Sequence, residues 1–121
     1  VFAALSDFIG SSDVASLRLD GRYFLCSFED FNEIVKWNWA DKKVYLSNKY
    51  DCENFALEFK TSVESEFEIN NVGIVIDYSS SHAYNIVVFK DGSVRLFEPQ
   101  NDMFVTKGEE RYKLESGYIL L

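Results

Sequence analysis

The sequence predicts an α+β domain, with helices first and a mostly antiparallel sheet after them. Apolar residues recur at helical spacing over residues 29–40 and 51–67. Beyond Asn70-Asn71 the pattern changes to short runs rich in Val, Ile, Phe and Tyr, the side chains that suit a pleated surface. Between two of those runs stands Lys90-Asp91-Gly92, a hairpin loop with Gly where a left-handed residue is required.

Residues 1–9 are apolar enough for a short helix or a docking arm, and Gly10-Ser11-Ser12-Asp13 reads as a turn. Residues 23–28 alternate loosely and read as a short strand, with Cys26 as buried filler. In 29–40, Phe31, Ile34, Val35 and Trp39 form an amphipathic stripe, and Trp37 and Trp39 are assigned to the core rather than to a ligand groove. Residues 41–50 are polar and irregular. In 51–67, Cys52, Phe55, Ala56, Phe59, Val63 and Phe67 share one helix face, with Asp51 as the N-cap. The strands expected after it cover 72–78, 82–89, 93–98 and 118–121. There is no repeat or linker, so residues 1–121 read as one domain. The chain opens at Val1 without a Met, as a processed form or a piece of a longer protein would.

Of 121 residues, 47% are hydrophobic and 17% aromatic, enough for a packed core and unlike a disordered chain. No apolar run approaches the roughly 18 residues of a membrane span, and no signal peptide is visible, so a soluble protein is expected. The formal charge of −8, from 20 acidic and 12 basic residues, argues against a nucleic-acid partner. Some of the surplus carboxylates could hold Ca²⁺, and Asp102 is the candidate nearest the other residues of interest. One His and no CxxC argue against zinc.

The thiol of Cys52 is placed at a helix N-terminus, where unpaired N–H groups favour thiolate, although Asp51 and Glu53 beside it oppose that. His82 is the single histidine and opens a strand after Ser79-Ser80-Ser81. A strand packed on the Cys52 helix would bring thiol and imidazole together as nucleophile and base. A three-residue loop with a Gly bulge pairs Phe89 with Ser93, Val87 with Arg95, Tyr84 with Glu98 and His82 with Gln100. A two-residue turn instead sets His82 against Asn101 and turns Glu98 to the other face. Glu98 is the preferred orienter, because a carboxylate also stabilises the imidazolium.

Three stretches carry a family resemblance: Asp51-Cys52-Glu53-Asn54-Phe55-Ala56, His82-Ala83-Tyr84-Asn85-Ile86-Val87-Val88, and Asp91-Gly92 through Glu98-Pro99-Gln100. Together they resemble the papain-like and transglutaminase-like cysteine peptidase superfamily. The Glu-Pro-Gln ending looks closest to the C-terminal domain of a fungal agglutinin of the Marasmius type, a calcium-dependent papain-like protease. The resemblance spans roughly residues 45–102. It implies a papain-like α+β fold, in which the nucleophile-bearing helix packs on a small antiparallel sheet or half-barrel. It also implies Cys52 as nucleophile, His82 as base and Glu98 as orienter. Leu46 stands where papain has its oxyanion Gln, which leaves Asn48 or Gln100, with the Cys52 N–H, for that role.

The activity expected on this reading is hydrolysis of a peptide or amide substrate through an acyl-thioenzyme, with no required cofactor. Amine transfer through the same residues is a further possibility. The rival from a different class is a catalytically inactive binding or assembly module. It is favoured by the acidic neighbours of Cys52 and the missing oxyanion Gln.

Overall fold

The computed structural model describes residues 1–38 and 44–121. Helix α1 (Phe2–Ile9) buries Leu5 and Ile9 and is closed by Gly10 at φ 67°, a left-handed position that Gly occupies without a Cβ penalty. Strand β1 (Val14–Leu17) follows. Helix α2 (Phe28–Trp37) begins where the Ser27 hydroxyl accepts the Asp30 N–H at 3.1 Å, with Glu29 and Asp30 in its first turn. Helix α3 (Cys52–Phe67) begins where the Asn54 side chain accepts the Asp51 N–H at 3.1 Å. Strands β2 (Val72–Asp77), β3 (His82–Val88), β4 (Val94–Glu98), β5 (Met103–Val105) and β6 (Gly117–Leu120) complete the chain.

The six strands form one sheet in the order β1-β6-β2-β3-β4-β5, antiparallel throughout except that β1 runs parallel to β6. On one face Tyr84, Ile86, Leu96 and Ile119 pack with Leu5 and Ile9 of α1. On the other face Val87, Phe97 and Phe89 pack with Phe31 of α2 and with Phe59 and Val63 of α3. The abundance of Phe is explained here. The Phe31 ring lies 5.3–5.9 Å, centroid to centroid, from Phe59, Phe89, Phe97 and Phe104, mostly edge to face. Two buried polar side chains fasten α3 to the sheet. The Asn85 amide donates to the Ala56 carbonyl at 2.9 Å, and the Lys60 ammonium donates to the Val72 carbonyl at 2.7 Å.

The β3–β4 hairpin takes the bulged register. The Phe89 N–H donates to Ser93 O, Gly92 has φ 86°, and Val87 faces Arg95. Other expectations need correction. Residues 23–27 are not a strand, because Phe24 is held by Asn70 through its N–H (2.6 Å) and its carbonyl (3.3 Å) instead of by a ladder. The early strand is β1, which its short and mostly exposed sequence did not announce. Trp37 is 69% exposed at the end of α2, not core. The core position expected of Trp39 lies outside the described residues. The expected order of helices followed by an antiparallel sheet or half-barrel also gives way. A strand lies between α1 and α2, and the open sheet has a parallel edge because the last strand inserts between β1 and β2. Among the described residues no helix is long and apolar enough to cross a membrane.

Gly117 makes that insertion possible. It has φ 148°, and a Cβ there would collide with the Ile76 carbonyl. Gly117→Ala is expected to destabilise the chain by about 3 kcal/mol or more, read as a fall in Tm of several degrees. A Tm unchanged within error would show that β6 can shift to accept a side chain.

Candidate functional site

The β2–β3 turn and the first turn of α3 face each other across a cleft of about 320 Å³, lined by Cys52, Asp77, Tyr78, Ser81, His82 and Ala83 among others. The antiparallel register sets Asp77 opposite His82 at the mouth of the sheet. Cys52 is brought there because the buried face of α3, through Phe55, Ala56 and Phe59, is seated on β2 and β3.

His82 is buried, and its Nε2 lies 2.5 Å from Glu98 Oε1. The Tyr112 hydroxyl donates to the same oxygen at 2.9 Å, and the Gln100 N–H donates to Oε2 at 3.3 Å. Burial alone would push the Glu98 carboxyl up. The bond and charge of His82, with the bonds from Tyr112 and Gln100, outweigh burial and hold it below the ordinary range. The rings of Tyr84 and Tyr112 each lie 5.6 Å from the imidazole and fix its plane. Burial, followed by the bond to Glu98, pushes the Tyr112 hydroxyl up to about 12. Arg111 Nη2 also approaches Nε2, at 3.4 Å, so Glu98 and Arg111 both meet that ring nitrogen.

Asp77 is a second buried carboxylate. It accepts from the Ser79 hydroxyl (2.5 Å), the Ser80 N–H (3.2 Å), the Tyr84 hydroxyl (2.6 Å) and the Leu114 N–H (2.9 Å). Burial opposes its ionisation, yet these donors together keep its carboxyl below the usual value. Asp77 thereby ties the β2–β3 turn to the segment ahead of β6.

Cys52 is half-buried, and both cysteines are free. Burial pushes its thiol up. The Ala83 N–H opposes this, while a 3.5 Å bond to Glu53 Oε2 and the charges of Glu53 and Asp51 reinforce it. The net effect favours the protonated thiol. Its sulfur hydrogen bonds run to Glu53 and Ala83, so it presents a weakly polar, neutral wall to the cleft.

The residues nominated from the sequence are only partly gathered. Cys52 and His82 share the cleft, and Glu98 stands behind His82. Gln100 contributes its backbone N–H to Glu98. Asn48 and Asn101 are exposed turn residues that do not line the cleft. Asp102 sits at φ 55°, and among the described residues no group of three or more His, Cys, Asp or Glu could hold a metal ion. Asp77 and Tyr112 were missed, whereas Tyr84, placed opposite Glu98 by the predicted register, was given no role. Asp77-Tyr78-Ser79-Ser80 at the end of an apolar run carries the signature of a side-chain-capped turn, a signal that was available. Nothing local marks Tyr112, which is recruited from far along the chain.

Comparison with known proteins places this architecture among lectin domains. Residues 12–120 match the family described as ricin-type beta-trefoil lectin C-terminal domain. The chain belongs to that family. No curated protein matches it. Among solved structures, one titled "PSL1a-E64 complex" is 24% identical with a TM-score of 0.77, covering 99% of this chain and 48% of its own. A Polyporus squamosus lectin, titled as bound to the human-type influenza-binding epitope Neu5Aca2-6Galb1-4GlcNAc, is 23% identical with a TM-score of 0.76. It covers 98% of this chain and 46% of its own. The chain thus spans about half the length of the structures it matches, and at these identities the likeness is one of fold.

These findings overturn the cysteine peptidase resemblance and the papain-like fold assignment drawn from it. They overturn equally the expectation of an enzyme: thiol protease, hydrolase and catalytic triad give way to a lectin family. The resemblance rested on three short motifs, whereas the family match runs over residues 12–120.

The two carboxyls make a pH prediction. Unfolded, they titrate near about 4; folded, both lie lower. Their stabilisation is therefore complete above that unfolded value and is lost as pH falls through the folded values. Asp77→Asn is expected to lower stability at pH 7 by about 2 kcal/mol. The gap from the parent protein should narrow as melts are taken from pH 5 to pH 3. A gap that is constant with pH would show that Asp77 does not titrate with folding.

Proposed function

We propose that the chain is a binding domain of a carbohydrate-binding lectin, and that the cleft between α3 and β3 receives a small polar ligand of the saccharide class. The observation that carries this reading is the family match over residues 12–120. The chemistry of the cleft supports it. The cleft is lined by the exposed residue Ser81 and by His82, whose imidazole is held by Glu98. Its rim offers Tyr78, 61% exposed and packed edge to face on the 48% exposed Tyr118 at 5.8 Å. An exposed aromatic face beside a few oriented polar groups is the composition of a site that binds a ligand with both apolar and hydroxyl surfaces. The neutral Cys52 thiol fits a wall better than a nucleophile.

An assembly role for the same domain has one observation of its own. Leu17 and Tyr118 are 55% and 48% exposed on the β1–β6 half of the sheet. Parallel pairing puts Leu17 beside Leu120 and Ala15 beside Tyr118.

Calorimetric titration of the chain with the trisaccharide Neu5Acα2-6Galβ1-4GlcNAc tests the reading. Saturable binding is expected, weakened about tenfold by Tyr78→Ala, a loss of about 1.4 kcal/mol. Binding that is absent, or indifferent to Tyr78→Ala, would remove the cleft as a saccharide site. Turnover of a peptide amide that disappears in Cys52→Ala would overturn the non-catalytic assignment.

A further inference from the structure

The lining of the Cys52 cleft is unequal in charge. Two carboxylates line it, Glu53 and Asp77, and among the described residues no lysine or arginine does. Asp77 is buried, and its carboxylate is taken up by the four donors named above. Glu53 is exposed, and its one hydrogen bond among the described residues comes from the Cys52 thiol at 3.5 Å. It enters no ion pair there. Arg111 is engaged elsewhere, because it meets His82 at Nε2, the nitrogen that also contacts Glu98.

Glu53 and the aromatic rim of the cleft lie on one side of the sheet. Val72 packs with Phe59 and Val63 of α3, and Ile76, four residues further along β2, points the same way. Ile76 lines the cleft and is paired with Tyr118, against whose ring Tyr78 packs. Helix α3 carries Glu53 in its first turn over that same side. The cleft thus sets an uncompensated carboxylate beside exposed phenol rings. A carboxylate is a charge-assisted acceptor, and the face of a tyrosine ring attracts a cation. Both groups favour an ammonium over a neutral hydroxyl.

We infer that the ligand of this cleft is an amino sugar, an inference that rests on the saccharide reading above. Its primary ammonium pairs with the Glu53 carboxylate, and a face of its ring lies against Tyr78. The net charge of −8 acts in the same direction, drawing a cationic ligand toward the chain.

The test is an amide NMR titration of the whole chain with glucosamine at pH 6, below the pKa of a primary amine. Glucose serves as the neutral sugar, and butylamine as the ammonium without a sugar ring. Glucosamine is expected to give saturable shifts centred on the amides of Glu53, Tyr78 and Ser81. Glucose and butylamine are each expected to bind at least tenfold more weakly. Glu53→Gln is expected to bring glucosamine down to the level of glucose. In the unaltered protein, raising NaCl from 20 to 500 mM is expected to weaken glucosamine severalfold and leave glucose unchanged. Glucose binding as tightly as glucosamine, or glucosamine binding indifferent to Glu53→Gln or to salt, would overturn the inference and leave the saccharide reading standing. Butylamine matching glucosamine, or no saturable shift with either sugar, would overturn both.

Discussion

Strand β3 is buried at every one of its seven residues, and the rest of the molecule is arranged around that fact. A strand dehydrated on both faces must have its backbone paired on both edges and every polar side chain given a partner. Strands β2 and β4 supply the edges. On one face the partners come from α3, whose Ala56 carbonyl accepts the Asn85 amide. On the other face Tyr84 reaches Asp77, and His82 reaches Glu98. The helix that carries Cys52 and the turn that forms the opposite wall of the cleft are therefore set by the needs of one strand.

The polar end of the sheet follows the same logic. Two carboxylates, Asp77 and Glu98, are almost wholly buried, and each is kept ionised by several donors instead of by a cation alone. Tyr84 and Tyr112 stand between them, each donating its hydroxyl to one carboxylate while their rings pack at 5.0 Å. This connects β2, β3, β4 and the segment before β6 through side chains where the ladder ends. A rigid polar network results behind the cleft. The thiol at its edge is shifted toward its neutral form by burial and by Glu53 and Asp51.

Much of this was legible in particular residues. The spacing of Phe55, Ala56, Phe59 and Val63 marked α3 and its buried face. The Lys90-Asp91-Gly92 loop carried enough turn chemistry to set the hairpin register and hence the side of the sheet on which Glu98 emerges. The contact between His82 and Glu98 follows from that register. Short motifs failed where identity depends on the whole chain. Cys, His and Glu at suggestive spacing pointed to a peptidase, and the match over residues 12–120 places the chain in a lectin family. The strand expected over 23–28 failed because Asn70 satisfies that backbone from a distant loop.

The amino-acid sequence by itself determined what depends on neighbours a few residues apart: helix faces, caps, the bulged hairpin, and the surplus of aromatic residues for the core. Those features arise from backbone geometry and side-chain periodicity, both written locally. Tertiary structure alone decided the parallel union of β1 with β6, and the recruitment of Tyr112 to Glu98 and of Leu114 to Asp77. Each joins residues separated by a dozen positions or more, and the reason is burial. A carboxylate or a strand edge removed from water takes whichever donor the packed fold brings within reach, and no local pattern specifies which one that is.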